Sequence, residues 1–159
     1  MHSECIKHLR STPEALGARV LWYAGEAGDE LQLSEPGSKK PCYLSNHDEF
    51  ESVVIPAAPL IVLRRYSTGK SGSRLLARLF QPVPEDGLYL AVDKKLLFIR
   101  KTTGVFTPQE AEALLQLLNS SKLQTYLYIY YGTINVLPAE IECILNCILY
   151  EGRNPFLLM

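Results

Sequence analysis

No apolar run in this chain of 159 residues approaches the roughly 20 consecutive residues that a bilayer-spanning helix needs. The first ten residues, MHSECIKHLR, hold no apolar segment of the kind a secretory leader carries, so no export signal is expected. Both lacks point to a cytoplasmic protein with no membrane attachment. Cysteine is scarce: Cys5, Cys42, Cys143 and Cys147 form no Cys-x-x-Cys pair, and nothing around Cys143 and Cys147 completes a metal set. These thiols are expected to be buried and reduced, packing as small hydrophobes. Histidine is limited to His2, His8 and His47, all in polar surroundings and expected at the surface. Neither sign of charge dominates, the net charge being −1; with 47% apolar and 21% charged residues the chain can bury a core and is not expected to be disordered.

Against that balanced background one stretch is unbalanced. Between Ile61 and Phe80 there are five basic residues and no acidic one. The stretch begins with Leu60–Leu63, a short unbroken apolar run suited to a strand buried on both faces. Ser67–Ser73 then has the glycine and serine content of a loop, carrying Lys70. From Arg74 onward Leu75, Leu76, Leu79 and Phe80 return at helical spacing, which predicts a basic helix. A core strand thus delivers Arg64 and Arg65 to its end, and the local positive charge should attract something anionic.

Elsewhere the pattern predicts alternating short elements. A short helix is expected within residues 1–16, a strand at Val20–Ala24, an acidic loop at Gly25–Glu35, a turn at Pro36–Ser38 and a strand at Val53–Ile55. Leu88–Val92 and Leu96–Ile99 read as the two arms of a hairpin around Asp93-Lys94-Lys95, with Lys94, Lys95, Arg100 and Lys101 as a second basic cluster. Thr107-Pro108-Gln109-Glu110 has the residues of a capping box and opens a helix whose apolar face is Ala111, Leu114, Leu115 and Leu118. Asn119-Ser120-Ser121 interrupts or ends it. Leu123–Tyr131 fits a strand through alternating tyrosines and a helix through Leu123, Tyr126, Leu127 and Tyr130. Pro138 opens a last helix with Ile141, Ile144, Leu145, Ile148 and Leu149 on one side. No repeat or linker interrupts the chain. The expectation is one α+β domain over residues 1–159: a mixed sheet, flanking helices and a helical C-terminal part.

Catalytic constellations are missing. Ser67-Thr68-Gly69-Lys70-Ser71 between two regular elements imitates a phosphate-binding loop, and Leu88–Asp93 imitates the strand that would end in its metal-binding aspartate. The loop's first glycine, however, would fall on Arg64, where a bulky side chain hinders the close wrapping of backbone N–H groups. There is no Gly-x-Ser-x-Gly elbow, no His-Glu-x-x-His, and the pairs Glu110/Glu112 and Glu140/Glu142 stand two apart, facing different ways on a helix. They read as solvated or as favourable charges near helix N-termini. What remains is a basic surface with aromatic and amide neighbours, which suits nucleic acid, or a basic strip that is only solvated.

The order of these features resembles the C-terminal target-recognition domain of type II restriction–modification DNA adenine-N6 methyltransferases. The resemblance is carried by Lys40-Pro41 and Ile55-Pro56, by Arg64-Arg65-Tyr66-Ser67 after the apolar strand, and by Arg74-Leu75-Leu76-Ala77. It continues through Leu118-Asn119-Ser120 and an aromatic segment into Gly132-Thr133-Ile134-Asn135-Val136, so that it spans roughly Leu9 to Tyr150. Lys70 falls one place beyond the family's lysine, Ser71-Gly72-Ser73 replaces an acidic stretch, and Ile134 and Leu137 stand where the family favours Thr and Asn.

The resemblance implies a DNA-binding module that gives sequence specificity to a catalytic half. That half, with its glycine-rich S-adenosylmethionine loop and Asn-Pro-Pro-aromatic motif, is not in this chain; Asn154-Pro155-Phe156 lacks the second proline. By this resemblance the partners are double-stranded DNA and a catalytic methyltransferase domain or subunit. The chain itself binds no cofactor, and S-adenosylmethionine belongs to the other half. Arg64, Arg65 and Arg74 would meet phosphate or guanine edges, Lys70, Lys39 and Lys40 would hold the backbone, and Thr133 and Asn135 would lie near the extruded adenine. The alternative is a non-enzymatic protein-interaction domain, its tyrosine-rich segment and last helix forming the contact surface.

Overall fold

The structure is a computed structural model that describes residues 8–10, 17–27, 30–33, 41–45, 54–65, 75–84, 87–131, 136–148 and 156–158. In chain order the strands are β1 (Leu9–Arg10), β2 (Ala18–Leu21), β3 (Tyr23–Ala27), β4 (Glu30–Leu33), β5 (Tyr43–Leu44), β6 (Val54–Pro56), β7 (Leu60–Arg64), β8 (Ala77–Phe80), β9 (Tyr89–Val92) and β10 (Leu96–Lys101). Three helices follow, α1 (Pro108–Leu118), α2 (Ser121–Tyr131) and α3 (Pro138–Ile148), and then β11 (Phe156–Leu158). The expected α+β domain, with mixed sheets and a helical C-terminal part, is what the described residues form; that part holds three helices.

β7 is the axis of the fold. It lies inside a four-stranded sheet ordered β11-β10-β7-β8, antiparallel to both neighbours. All five of its residues are buried, as a both-faces-apolar run requires. Its alternation divides the core. Ile61 and Leu63 face α1, α2 and α3 through Ala111, Leu114, Leu118, Leu123, Leu127, Ile141, Ile144 and Leu145. Leu60 and Val62 face the opposite way, toward Leu21, Leu31, Leu33, Ile55 and Leu90. Those residues come from the β3–β4 hairpin and from a five-stranded sheet ordered β1-β5-β2-β9-β6, in which β2 and β9 run parallel. The four-stranded sheet is therefore a middle layer, helices on one side and strands on the other.

Several expectations are corrected. Leu75–Phe80 is not a helix; Ala77–Phe80 pairs antiparallel with Leu60–Leu63. Leu75 and Ala77 pack toward the helices while Leu76 and Phe80 pack toward the opposite layer. A strand buried on both sides loses its polar alternation, so its apolar spacing imitates a helix. The Asp93-Lys94-Lys95 turn exists, but its arms do not pair with each other. β9 joins the five-stranded sheet and β10 the four-stranded one, so the turn carries the chain between layers. Within Gly25–Glu35 the chain is no open loop: β3 and β4 pair as a hairpin there. Val20–Ala24 breaks at Trp22 into β2 and β3, and Leu9–Arg10 is a strand, the rest of the helix expected within 1–16 lying outside the described residues. Cys42 is buried but Cys143 is exposed. His8 is half-buried. The turn expected at Pro36–Ser38 also lies outside the described residues.

The helices follow local chemistry closely. Thr107 Oγ1 accepts from the Glu110 N–H at 3.2 Å, and Glu110 accepts from the Thr107 N–H at 2.8 Å, closing the expected box. α3 repeats half of that device: Leu137 N–H donates to Glu140 at 3.0 Å, so Glu140 is a buried cap and not a solvated charge. The ambiguous Leu123–Tyr131 segment is helical, with Leu123 and Leu127, one turn apart, as its buried face. Among the described residues no helix is long and apolar enough to cross a membrane.

Candidate nucleic-acid interface

The end of β7 is where the candidate site is built. Arg64 continues the alternation of Leu60 and Val62, so its side chain turns into the space between the layers, and it is only 1% exposed. Burial depresses its pKa, an effect the nearby Tyr23 hydroxyl partly opposes. A guanidinium enclosed in this way does not reach a phosphate at the surface, so in this arrangement Arg64 supports the interior; its neighbour Arg65 is half-buried.

Arg65 is that neighbour, and its backbone is a junction. Its N–H donates to the Lys95 carbonyl at 3.0 Å, and its own carbonyl accepts from the Val136 N–H at 2.9 Å. Val136 is the residue that follows Thr133 and Asn135. Three sequence-distant segments therefore meet at one point: the strand end with Arg65, the Lys94-Lys95 turn, and the residue closing the stretch 132–135. Lys70, Arg74, Lys39, Lys40, Thr133 and Asn135 lie outside the described residues. The residues flanking some of them are held: Leu75, after Arg74, exchanges two hydrogen bonds with the Gln124 amide at 2.9 and 2.7 Å. Pro41, after Lys40, accepts from the Trp22 indole at 2.7 Å.

Gln124 has a counterpart in Asn119, whose amide accepts from the Ala77 N–H at 2.9 Å and donates to the Ala77 carbonyl at 3.0 Å. Leu75 and Ala77 are two apart and so present their backbone groups on the same outer edge. Two side-chain amides thus stand in for a neighbouring strand, closing an edge that would otherwise invite pairing with another chain.

The expected second basic cluster divides. Lys94 and Lys95 are exposed at one end of β10, while Arg100 and Lys101 lie at the other, about 20 Å away at the strand rise per residue. Lys101 is occupied by Glu110 at 2.9 Å. That lysine and the Thr107 backbone, the latter more strongly, hold the Glu110 carboxyl below the usual carboxylate range.

Two further surface features stand outside this junction, the second of them on the tyrosine-rich segment expected as a contact surface. A cleft of about 460 Å³ opens beside β8, lined by Arg19, Leu33, Arg78, Phe80 and Gln81 among others, with the Arg19 guanidinium 5.6 Å above the Phe80 ring. Its arginines come from different sheets, so no sequence spacing marks it. The other is the outward face of α2, where Tyr128, Ile129 and Tyr130 are 75%, 67% and 69% exposed, and Tyr126 stacks on Tyr130 with centroids 4.4 Å apart. The tyrosine alternation was visible, but not which residues it would leave uncovered. No group of three or more His, Cys, Asp or Glu residues that could hold a metal ion occurs among the described residues. Comparison of the chain with family models, curated proteins and solved structures finds no match.

Proposed function

We propose that the chain is a DNA target-recognition module of a site-specific adenine-N6 methyltransferase, with catalysis on another domain or subunit that holds S-adenosylmethionine. The observation that carries this reading is the junction at Arg65. The two segments to which the family resemblance assigns DNA contact, 64–67 and 132–136, are 65 or more positions apart in the chain. They are nevertheless joined by the Val136-to-Arg65 hydrogen bond. A surface that reads DNA needs such convergence, because phosphate contacts fix the register in which a few side chains meet base edges. In this reading Arg65 and Arg74 contact phosphate or guanine edges, Lys70, Lys39 and Lys40 hold the DNA backbone, and Thr133 and Asn135 contact base or backbone near the extruded adenine. Extruding an adenine costs a few kcal/mol, which contacts from this module would help offset while the catalytic half acts.

The test is fluorescence anisotropy of labelled duplex DNA titrated with the full chain at a series of salt concentrations. Binding that weakens steeply with salt, and weakens further with Arg65→Ala, is expected. Absence of binding at low salt would remove the reading.

One observation favours a second reading, a non-enzymatic protein-interaction domain: the uncovered aromatic face of α2 is of the kind that marks contact surfaces. It predicts that the chain passes unretained through immobilised DNA at low salt, and that Tyr128→Ser with Tyr130→Ser abolishes capture of its protein partner.

A further inference from the structure

We propose that the Lys94-Lys95 turn is a second, sequence-independent phosphate clamp on the same duplex, an inference that rests on the DNA-recognition reading. Its first support is availability. Lys94 and Lys95 are both exposed and, among the described residues, make no ion pair or side-chain hydrogen bond, whereas Lys101 is paired with Glu110. Arg78 leans on the Leu31 carbonyl at 3.5 Å, and Arg10 donates to the Leu9 carbonyl at 3.0 Å.

The second support is rigidity of the mount. Asp93, itself buried, donates its N–H to the Leu21 carbonyl at 3.0 Å and accepts from the Leu96 N–H at 2.9 Å. The Lys95 carbonyl in turn holds the Arg65 N–H at 3.0 Å. The turn is thus fastened to β2 in one sheet and to β7 in the other, with Leu96 and Leu97 buried directly after it. Two flexible ammonium groups on a fixed base lose less freedom on binding than the same groups on a loose loop. The third support is position, since one hydrogen bond separates Lys95 from Arg65. Lysine suits this task because an ammonium is a compact point charge that meets any phosphate, while base discrimination belongs to groups of fixed geometry.

The experiment compares the full chain with Lys94→Gln/Lys95→Gln and Lys94→Glu/Lys95→Glu variants on two labelled duplexes of equal length and unrelated sequence. The expected result is equal weakening on both duplexes, a salt slope reduced by about 2 for the glutamine pair, and a larger loss for the glutamate pair. Thermal melting of each variant should match the parent, since both side chains project into solvent. Unchanged affinity and slope in variants of a parent that does bind DNA would overturn the clamp and leave the recognition reading standing. Loss on one duplex only would also overturn it, by making the lysines readers of sequence. A parent that binds neither duplex would remove both.

Discussion

Replacing Gln124 by alanine strikes the joint between β8 and the helical layer. The Gln124 amide accepts from the Leu75 N–H, donates to the Leu75 carbonyl, and lies 3.3 Å from the Leu118 carbonyl. A typical internal hydrogen bond is worth about 1 kcal/mol net, and a buried donor left without a partner costs about 1–3 kcal/mol. The lost bond to the Leu75 carbonyl together with the stranded Leu75 N–H, counted in place of its own bond, therefore puts the cost of Gln124→Ala at about 2–4 kcal/mol. That is a large share of the 5–15 kcal/mol typical of a whole domain. Urea denaturation followed by circular dichroism would show a lower midpoint at an unchanged slope. Gln124→Glu separates the two halves of the joint: it keeps an acceptor for Leu75 N–H but sets an oxygen against the Leu75 carbonyl, and should be as damaging as alanine near neutral pH. The reasoning fails if Gln124→Ala shifts the midpoint by less than the change from a surface control such as Gln116→Ala, whose amide reaches only Glu112.

Other consequences divide stability from binding. Arg64→Ala should lower stability, because it empties an enclosed site; Arg65→Ala should lower DNA affinity with a much smaller effect on the urea midpoint. Thr107→Ala removes the α1 cap and should cost about 1 kcal/mol, read from the same denaturation curves. The Glu110 carboxyl is held below its ordinary range by Thr107 and Lys101, so the stability it contributes is full above the unfolded value of about 4.3. It is lost as pH falls through the lower folded value. Glu110→Gln should flatten that part of the acid limb of a plot of urea midpoint against pH, and an unchanged limb would refute the linkage. Asn119→Ala combined with Gln124→Ala uncovers the β8 edge and should produce concentration-dependent association in analytical ultracentrifugation.

Local chemistry was legible and long-range pairing was not. The α1 start could be read because its signal lies within four consecutive residues, each acting on the next turn. β7 could be read because an all-apolar run of that length has few other uses. β8 could not, since burial on both faces erased the alternation that identifies a strand. The turn after β9 was visible in Asp93-Lys94-Lys95, yet the partners of its arms are set by β2 and β7, distant in sequence. β11 carries no strand signal of its own; its place is set by pairing with β10, Phe156 opposite Lys101. At the candidate site, an arginine at the end of a core strand reads as a surface charge. Counting by twos from Leu60 puts Arg64 on the face turned to the β3–β4 hairpin and the five-stranded sheet, and Arg65 on the opposite parity; that both faces of β7 are covered is set by distant segments. The helix of Leu123–Tyr131 was decided by Gln124 and the pair Leu123 and Leu127, which only a helix turns together toward the four-stranded sheet.

The most direct measurement is the salt dependence of duplex-DNA affinity for the full chain beside its Arg65→Ala variant. A steep linear fall of log affinity with log salt, made shallower by the substitution while the fold is kept, is the predicted result. Affinity that is absent, insensitive to salt, or the same in both proteins would contradict the placement of a DNA-reading surface at the end of β7.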